Sequence, residues 1–204
     1  MSIRPEHDLW TPHTVEETRD IYRRWANEYD RDVQEWGYVT PPRVARALRV
    51  TGADVCQPIL DFGCGTGLSG QALAAEGFSL IDGTDISPEM LAKARERDLY
   101  RSTWLGQPGK CDEVRPGDYA GIVATGVVSM GAAPPETLAL LVSLLAPGNL
   151  LAFSYNDATL ADSGYMDALD SACNTDGMAL VFEEHGPHLP GKEVESTVYV
   201  LQRT

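Results

Sequence analysis

The residues best placed to do chemistry are Asp61-Phe62-Gly63-Cys64-Gly65-Thr66-Gly67, where three glycines alternate with other residues directly after the apolar pair Ile59-Leu60. Glycines at that spacing leave the backbone bare, so a ligand can come within hydrogen-bond reach of the amides. Asp61 can accept a hydrogen bond from an ammonium group. Further on, after a second apolar run, stands Asp85, whose carboxylate can take both hydroxyls of a ribose. An ammonium acceptor, bare amides and a ribose acceptor, in that order, describe a pocket for a nucleoside.

Such a pocket needs a strand in front of the turn and a helix behind it. Ile59 to Phe62 reads as the strand, and Leu68 to Glu76 as the helix, closed by Gly77. The alternation continues. Phe78 to Thr84 predicts a second strand, and Ser87-Pro88 caps a helix over Glu89 to Arg97. Arg101 to Leu105 and Ala120 to Thr125 read as the third and fourth strands. Pro134-Pro135 opens a helix through Leu145, and Leu150 to Tyr155 is a fifth strand. This repeat implies a parallel sheet with helices on both faces. After a helix over Ser163 to Asn174, strands at Met178 to Glu184 and Val194 to Leu201 follow with no helix between them. They predict an antiparallel hairpin whose loop holds Gly186, Pro187, Pro190 and Gly191.

Ahead of the sheet, Thr14 and Glu17 form a capping box for a helix ending near Asn27, with an aromatic stripe of Tyr22, Trp25 and Tyr29. Trp36-Gly37-Tyr38 is an aromatic turn, and Thr40 starts a helix through Val50 that Gly52 closes. The expectation is one domain over residues 1–204, with 1–52 a helical lid and 53–204 the core.

Of 204 residues, 43% are hydrophobic and 23% charged, which excludes a disordered or fibrous chain. Lys plus Arg number 16 against 30 for Asp plus Glu, a formal net charge of −14. So acidic a chain is expected to repel a polyanion, which argues against nucleic acid as a partner. The longest apolar run is far short of a membrane span and the first residues lack a signal peptide's apolar segment. No membrane partner is expected, and a cytoplasmic location is. Cys56, Cys64, Cys111 and Cys173 are scattered, so neither a metal site nor a disulfide framework is indicated. Nothing in the composition bears on the oligomeric state.

The strings ILDFGCGTGLSG and IDGTDISPEMLAKA resemble motifs I and II of the class I S-adenosylmethionine-dependent methyltransferases. That resemblance implies a Rossmann-like, seven-stranded, mostly parallel sheet with a C-terminal antiparallel hairpin and an N-terminal helical cap. It implies S-adenosylmethionine as cofactor and methyl transfer to a small-molecule acceptor. Gly63, Gly65 and Gly67 would line the methionine part, with Cys64 in the same turn and Asp61 near the amino group. Asp85 would bind the ribose and Ile86 flank the adenine. Thr125 and Gly126 would lie by the methionine end, and Tyr22 and Tyr29 would fold over the cofactor. The family often has an acidic residue after the third strand, facing the adenine amine; here Leu105-Gly106-Gln107-Pro108 stands there, and Gln107 is the substitute. YDRDVQEWGYVTP and GVVSMGAAPPETL are similar to the Williams-Beuren syndrome region methyltransferase-like subgroup.

Two other functions fit the same residues. Gly65-Thr66-Gly67-Leu68-Ser69-Gly70 matches the GxGxxG dinucleotide fingerprint, as an NAD(P)-dependent oxidoreductase requires, and a non-catalytic cofactor-binding module would keep the same pocket. Methyl transfer needs no invariant nucleophile, so no catalytic residue is assigned. His185 and His188 are expected in the hairpin loop, as ordinary loop residues or at the pocket mouth, with His7 and His13 weaker candidates. Trp36 and Tyr38 extend the aromatic lid, and Tyr155 and Asn156 are expected at the same sheet edge. Arg43, Arg46 and Arg49 read as a solvated helix face or an anion site, Asp30 and Asp32 as poor metal ligands because no histidine stands at ligand spacing, and Cys64 as a small, unreactive filler of its turn.

Overall fold

A computed structural model describes residues 11, 13–174 and 176–204. His7, the chain start and part of the expected lid lie outside them. Seven strands form one sheet in the order β3-β2-β1-β4-β5-β7-β6: β1 (Ile59–Phe62), β2 (Ile81–Asp85), β3 (Ser102–Leu105), β4 (Gly121–Ala124), β5 (Leu150–Asn156), β6 (Met178–Leu189) and β7 (Val194–Arg203). β1 to β5 pair in parallel. β7 inserts antiparallel between β5 and β6. The order turns back on itself between β1 and β4, the switch point at whose carboxyl edge open sheets of this kind take their ligands.

The strands alternate between two buried faces, as a covered sheet requires. Ile59, Val123, Leu150, Ala152, Val198 and Val200 pack on one side, under α3 (Thr40–Val50) and α4 (Leu68–Ala75). Leu60, Ile122, Leu151, Phe153, Tyr199 and Leu201 pack on the other, under α6 (Glu136–Ser143) and α8 (Ser163–Asn174). α5 (Pro88–Glu96) has Ser87 as its N-cap, accepting from the Met90 amide. Among the described residues no helix is long and apolar enough to cross a membrane.

The expected capping box is present: the Thr14 side chain accepts from the Glu17 amide, and Glu17 accepts from the Thr14 amide. It starts α1 (Val15–Trp25). The chain then turns directly into α2 (Tyr29–Glu35), which the stripe did not announce because seven residues span barely two turns. The other unannounced helix, α7 (Asp157–Leu160), is four residues long and capped by Asn156.

The hairpin differs most from expectation. Gly186 and Pro187 are not in its loop; they belong to β6 and pair with Ser196 and Glu195, and only Pro190–Lys192 makes the turn. β6 is an edge strand, where proline's missing N–H costs the ladder little, and the register shifts between Pro187 and Leu189. His185 and His188 are therefore strand residues.

Candidate functional site

A cleft enclosing about 1080 Å³ of empty space, part of it open to solvent, runs along the carboxyl ends of β1, β2 and β4 under α1 and α2. Of the residues singled out in the sequence, it is lined by Gly63, Gly65, Asp85, Ile86, Gln107, Thr125, Gly126, Tyr22 and Tyr29. The three glycines divide. Gly63 (φ +68) has Val127 so close that an added Cβ would lie 2.4 Å from its Cγ2. Gly67 (φ +91) lies against Arg97 and the Ala94 backbone and lines neither this cleft nor its neighbours. A Cβ on Gly65 (φ +54) would meet nothing within 4 Å, so this is the glycine that leaves backbone bare toward the open space.

Asp85 is fixed by backbone: its two carboxylate oxygens accept from the Gly65 and Ser87 amides, each at 2.8 Å. Burial raises its pKa, against the lowering effect of those amides. Asp61 sits behind the turn rather than in the cleft wall. Its Oδ2 accepts from Ser69 Oγ at 2.6 Å and from the Tyr100 hydroxyl at 2.7 Å, while Oδ1 is buried with no hydrogen-bond partner. Burial pushes this carboxyl up to about 6. Across the switch point, Thr125 Oγ1 is likewise buried and unpartnered.

Cys64 lines a smaller hollow beside the turn and packs on Leu91, Ala94 and Tyr100. Burial raises its thiol pKa well above the ordinary value, so it stays a protonated filler.

Aromatic rings from α1, α2 and the turn after them border the cleft. Trp25 meets Tyr29 edge-on at 4.6 Å and Trp36 at 5.6 Å, and Tyr22 stacks toward Trp25. Burial raises the hydroxyls of Tyr22, to about 12, of Tyr29 and of Tyr38, so all three are neutral donors at pH 7. A second chamber opens behind this cluster, walled by Tyr22, Trp25, Tyr29, Trp36 and Tyr38, with Ser129, Asn156 and His188 on its polar side. It shares Tyr22, Tyr29, Tyr38 and Gly126 with the main cleft.

His188 reaches this chamber because β6 continues past the expected loop. It is 6% exposed, and its Nδ1 lies 2.7 Å from Thr40 Oγ1. Burial lowers its pKa to about 4, so the imidazole is neutral at pH 7. His185 points elsewhere, to Thr197 and Glu195, and His13 lies near Thr11. Asn156 is in the chamber; Tyr155 is in the core with Phe153, Tyr165 and Tyr199.

Neither reading of the arginines holds for Arg43, which bonds Glu184 and the carbonyls of Glu184, Pro187 and Ser196 and so clamps the hairpin to α3. Arg46 and Arg49 are exposed. Asp32 is fully buried and accepts from Trp25 Nε1 at 2.9 Å. Asp30 pairs with Arg97 and accepts from Thr66 Oγ1 at 2.5 Å, joining the lid to the glycine turn. Among the described residues no group of His, Cys, Asp and Glu is arranged to hold a metal ion.

Thr18, which the spacing places in the stripe of α1 with no site role, lines the cleft together with Arg19 and Met90, and Ser129 lines the chamber. Thr18 had a signal: it stands within the buried stripe of α1, where a hydroxyl is out of place.

The sequence profile of the methyltransferase domain matches residues 22–197. The human methyltransferase-like protein 27 is 31% identical over 154 residues, 74% of this chain and 62% of that protein. The mouse 18S rRNA (guanine-N(7))-methyltransferase is 33% identical over 129 residues, 62% of this chain and 43% of that protein; the chain thus spans less than two thirds of either relative. A solved S-adenosylmethionine-dependent methyltransferase from Thermotoga maritima superposes with a TM-score of 0.64 at 15% identity, over 92% of this chain and 100% of that one. The rRNA enzyme corrects the expectation of a small-molecule acceptor with nucleic acid excluded. Net charge describes a chain's long-range field, which salt screens within about 10 Å, and says little about what one pocket accepts.

Proposed function

The chain belongs to the methyltransferase-domain family, and from that premise we propose that it moves the methyl group of S-adenosylmethionine onto a flat aromatic ring seated in the chamber behind the cleft. It is an enzyme of the class I S-adenosylmethionine-dependent type, with the Rossmann-like sheet of that class. The observation that carries the acceptor reading is the shared wall: Tyr22, Tyr29, Tyr38 and Gly126 face both the cleft and the aromatic chamber. Within the family, the segments around Tyr29 to Pro41 and Gly126 to Leu138 support a place near the Williams-Beuren syndrome region subgroup.

The site's unsatisfied groups fit the cofactor. Thr125 Oγ1, buried without a partner just after β4 in the cleft wall, is an acceptor suited to an ammonium at the methionine end, and the Asp61 carboxylate behind the turn adds a favourable negative charge. Gly65 leaves its side open, and Asp85 retains lone pairs for a ribose after taking two amides. Ile86 and Gln107 line the same end of the cleft as Asp85, where the adenine belongs.

When bound, the cofactor supplies an electrophilic methyl carbon on a sulfonium. The chain's task is to align and dry the two partners. A ring nitrogen with a free lone pair loses no proton on methylation and needs no general base. It becomes cationic, and the faces of Tyr22, Tyr29 and Tyr38 favour that charge. Asn156, whose Oδ1 takes Thr159, can donate from its NH2 to the ring's polar edge.

The similarity to guanine-N(7) methyltransferases makes a purine nitrogen in RNA the first acceptor to test; a base extruded from its stack needs only the chamber. Incubation with methyl-labelled S-adenosylmethionine and a guanine-containing RNA, followed by nucleoside analysis, is expected to show 7-methylguanosine, lost in Trp25→Ala. Full S-adenosylhomocysteine binding with no label on any base would sink the purine acceptor.

A further inference from the structure

Helix α1 places Val15, Thr18, Tyr22 and Trp25 at intervals of three and four, on one face. Val15, Thr18 and Tyr22 line the cleft, and Trp25 packs in the lid cluster. A buried stripe calls for apolar side chains, and Thr18 breaks it. It is 3% exposed, and its Oγ1 has no hydrogen-bond partner. A helical threonine ordinarily disposes of its hydroxyl by donating to the carbonyl one turn back. Here the Thr14 carbonyl takes the Thr18 amide and not the hydroxyl. Valine has the same shape without the penalty of an unsatisfied buried group.

The next residue fixes where this hydroxyl stands. Arg19 Nε donates to the Ile86 carbonyl at 3.2 Å, seating α1 over the loop that leaves Asp85. Thr18, the residue before this tie, lines the same cleft as Ile86, Ser87 and Gln107.

We propose that the Thr18 hydroxyl reads the cofactor's base: it hydrogen-bonds the adenine of S-adenosylmethionine from the lid side, so the lid is seated in part by the base beneath it. The proposal rests on the cofactor placement given above. A threonine hydroxyl can donate and accept, and adenine's edge presents both kinds of partner.

The test compares Thr18→Val and Thr18→Ser in the full chain, by calorimetric binding of S-adenosylhomocysteine and by melting temperature without ligand. Thr18→Val is expected to weaken binding by about five- to tenfold, the scale of one lost hydrogen bond, with an apo melting temperature equal to or above wild type. Thr18→Ser is expected to bind within about twofold of wild type, since it keeps the hydroxyl. Unchanged binding in Thr18→Val overturns the proposal, as does an apo melting temperature that falls in both variants, the mark of a packing role. A wild type that binds no S-adenosylhomocysteine overturns the methyltransferase reading and this one together; binding that is blind to Thr18→Val overturns only this one.

Discussion

Between Phe62 and Leu68 the chain is fixed by its own backbone, whereas residues 15–38 reach the same cleft through side chains. In the turn, the Cys64 amide donates to the Thr84 carbonyl, the Gly67 amide to the Cys64 carbonyl and the Gly65 amide to Asp85. The helices of residues 15–38 are seated by Arg19 on the Ile86 carbonyl, by Asp30 on Arg97 and Thr66, and by rings in edge-on, tilted and stacked contact. A surface held by ladder-type bonds is in place before the ligand arrives. One held by a few part-buried polar ties and ring contacts is the part a ligand is expected to order.

Gly63→Ala presses hardest on this comparison. The clash with Val127 and the positive φ are expected to cost about 3 to 4 kcal/mol of stability, seen as a large drop in melting temperature without ligand. Gly65→Ala separates the two roles: only its φ opposes it, so about 1 kcal/mol of stability should go, with a larger loss of S-adenosylhomocysteine affinity. If both variants lose stability equally, the turn is not divided between packing and binding.

Asp61 comes next. Its carboxyl is pushed up to about 6 by burial, above the usual value near 3.9. The folded apo protein therefore holds a proton that the unfolded chain releases. This contribution to stability is complete below about pH 4 and lost as pH rises through 6, amounting to on the order of 2 to 3 kcal/mol. Asp61→Asn is expected to match wild type near pH 4 and to melt higher at pH 7, in scans without cofactor. Parallel curves at both pH values would mean the carboxylate is not strained.

A smaller effect is expected at Asp85→Ala, about 1 to 3 kcal/mol of cofactor affinity by calorimetry. Unchanged affinity would remove it from the ribose. The smallest is Asp30→Ala, whose partly exposed pair is worth well under 1 kcal/mol. It should leave the melting temperature alone yet speed amide exchange across residues 15–35. If exchange speeds up in the glycine turn instead, the contrast between turn and lid fails.

The turn was legible in the sequence because its chemistry is contiguous: a strand, an acid, three glycines and a helix follow one another, and glycine adopts the positive φ at Gly63, Gly65 and Gly67 at the least cost. The alternation of strands and helices was legible for the same local reason. What the sequence could not show depends on distance. Asp61 and Cys64 sit within the motif, yet Tyr100 and Ser69 take the first and a core cluster the second. His188 looked like a loop residue because glycine and proline flank it; pairing with β7, from the far side of the turn, carries the strand through them. Arg43 looked solvated until the hairpin it clamps came into place.

The hairpin's closing turn has one more effect. Gly191 lies flat on the Trp36 backbone, its amide on the Trp36 carbonyl, and Lys192 covers the Trp36 ring. The wall of the main cleft is drawn from residues 15–137, but the aromatic chamber also takes Asn156, His188 and Leu189. During synthesis, the ribosome therefore releases every part of the main cleft well before the last part of the second chamber, and the nascent chain has the components of the first hollow before it can close the second.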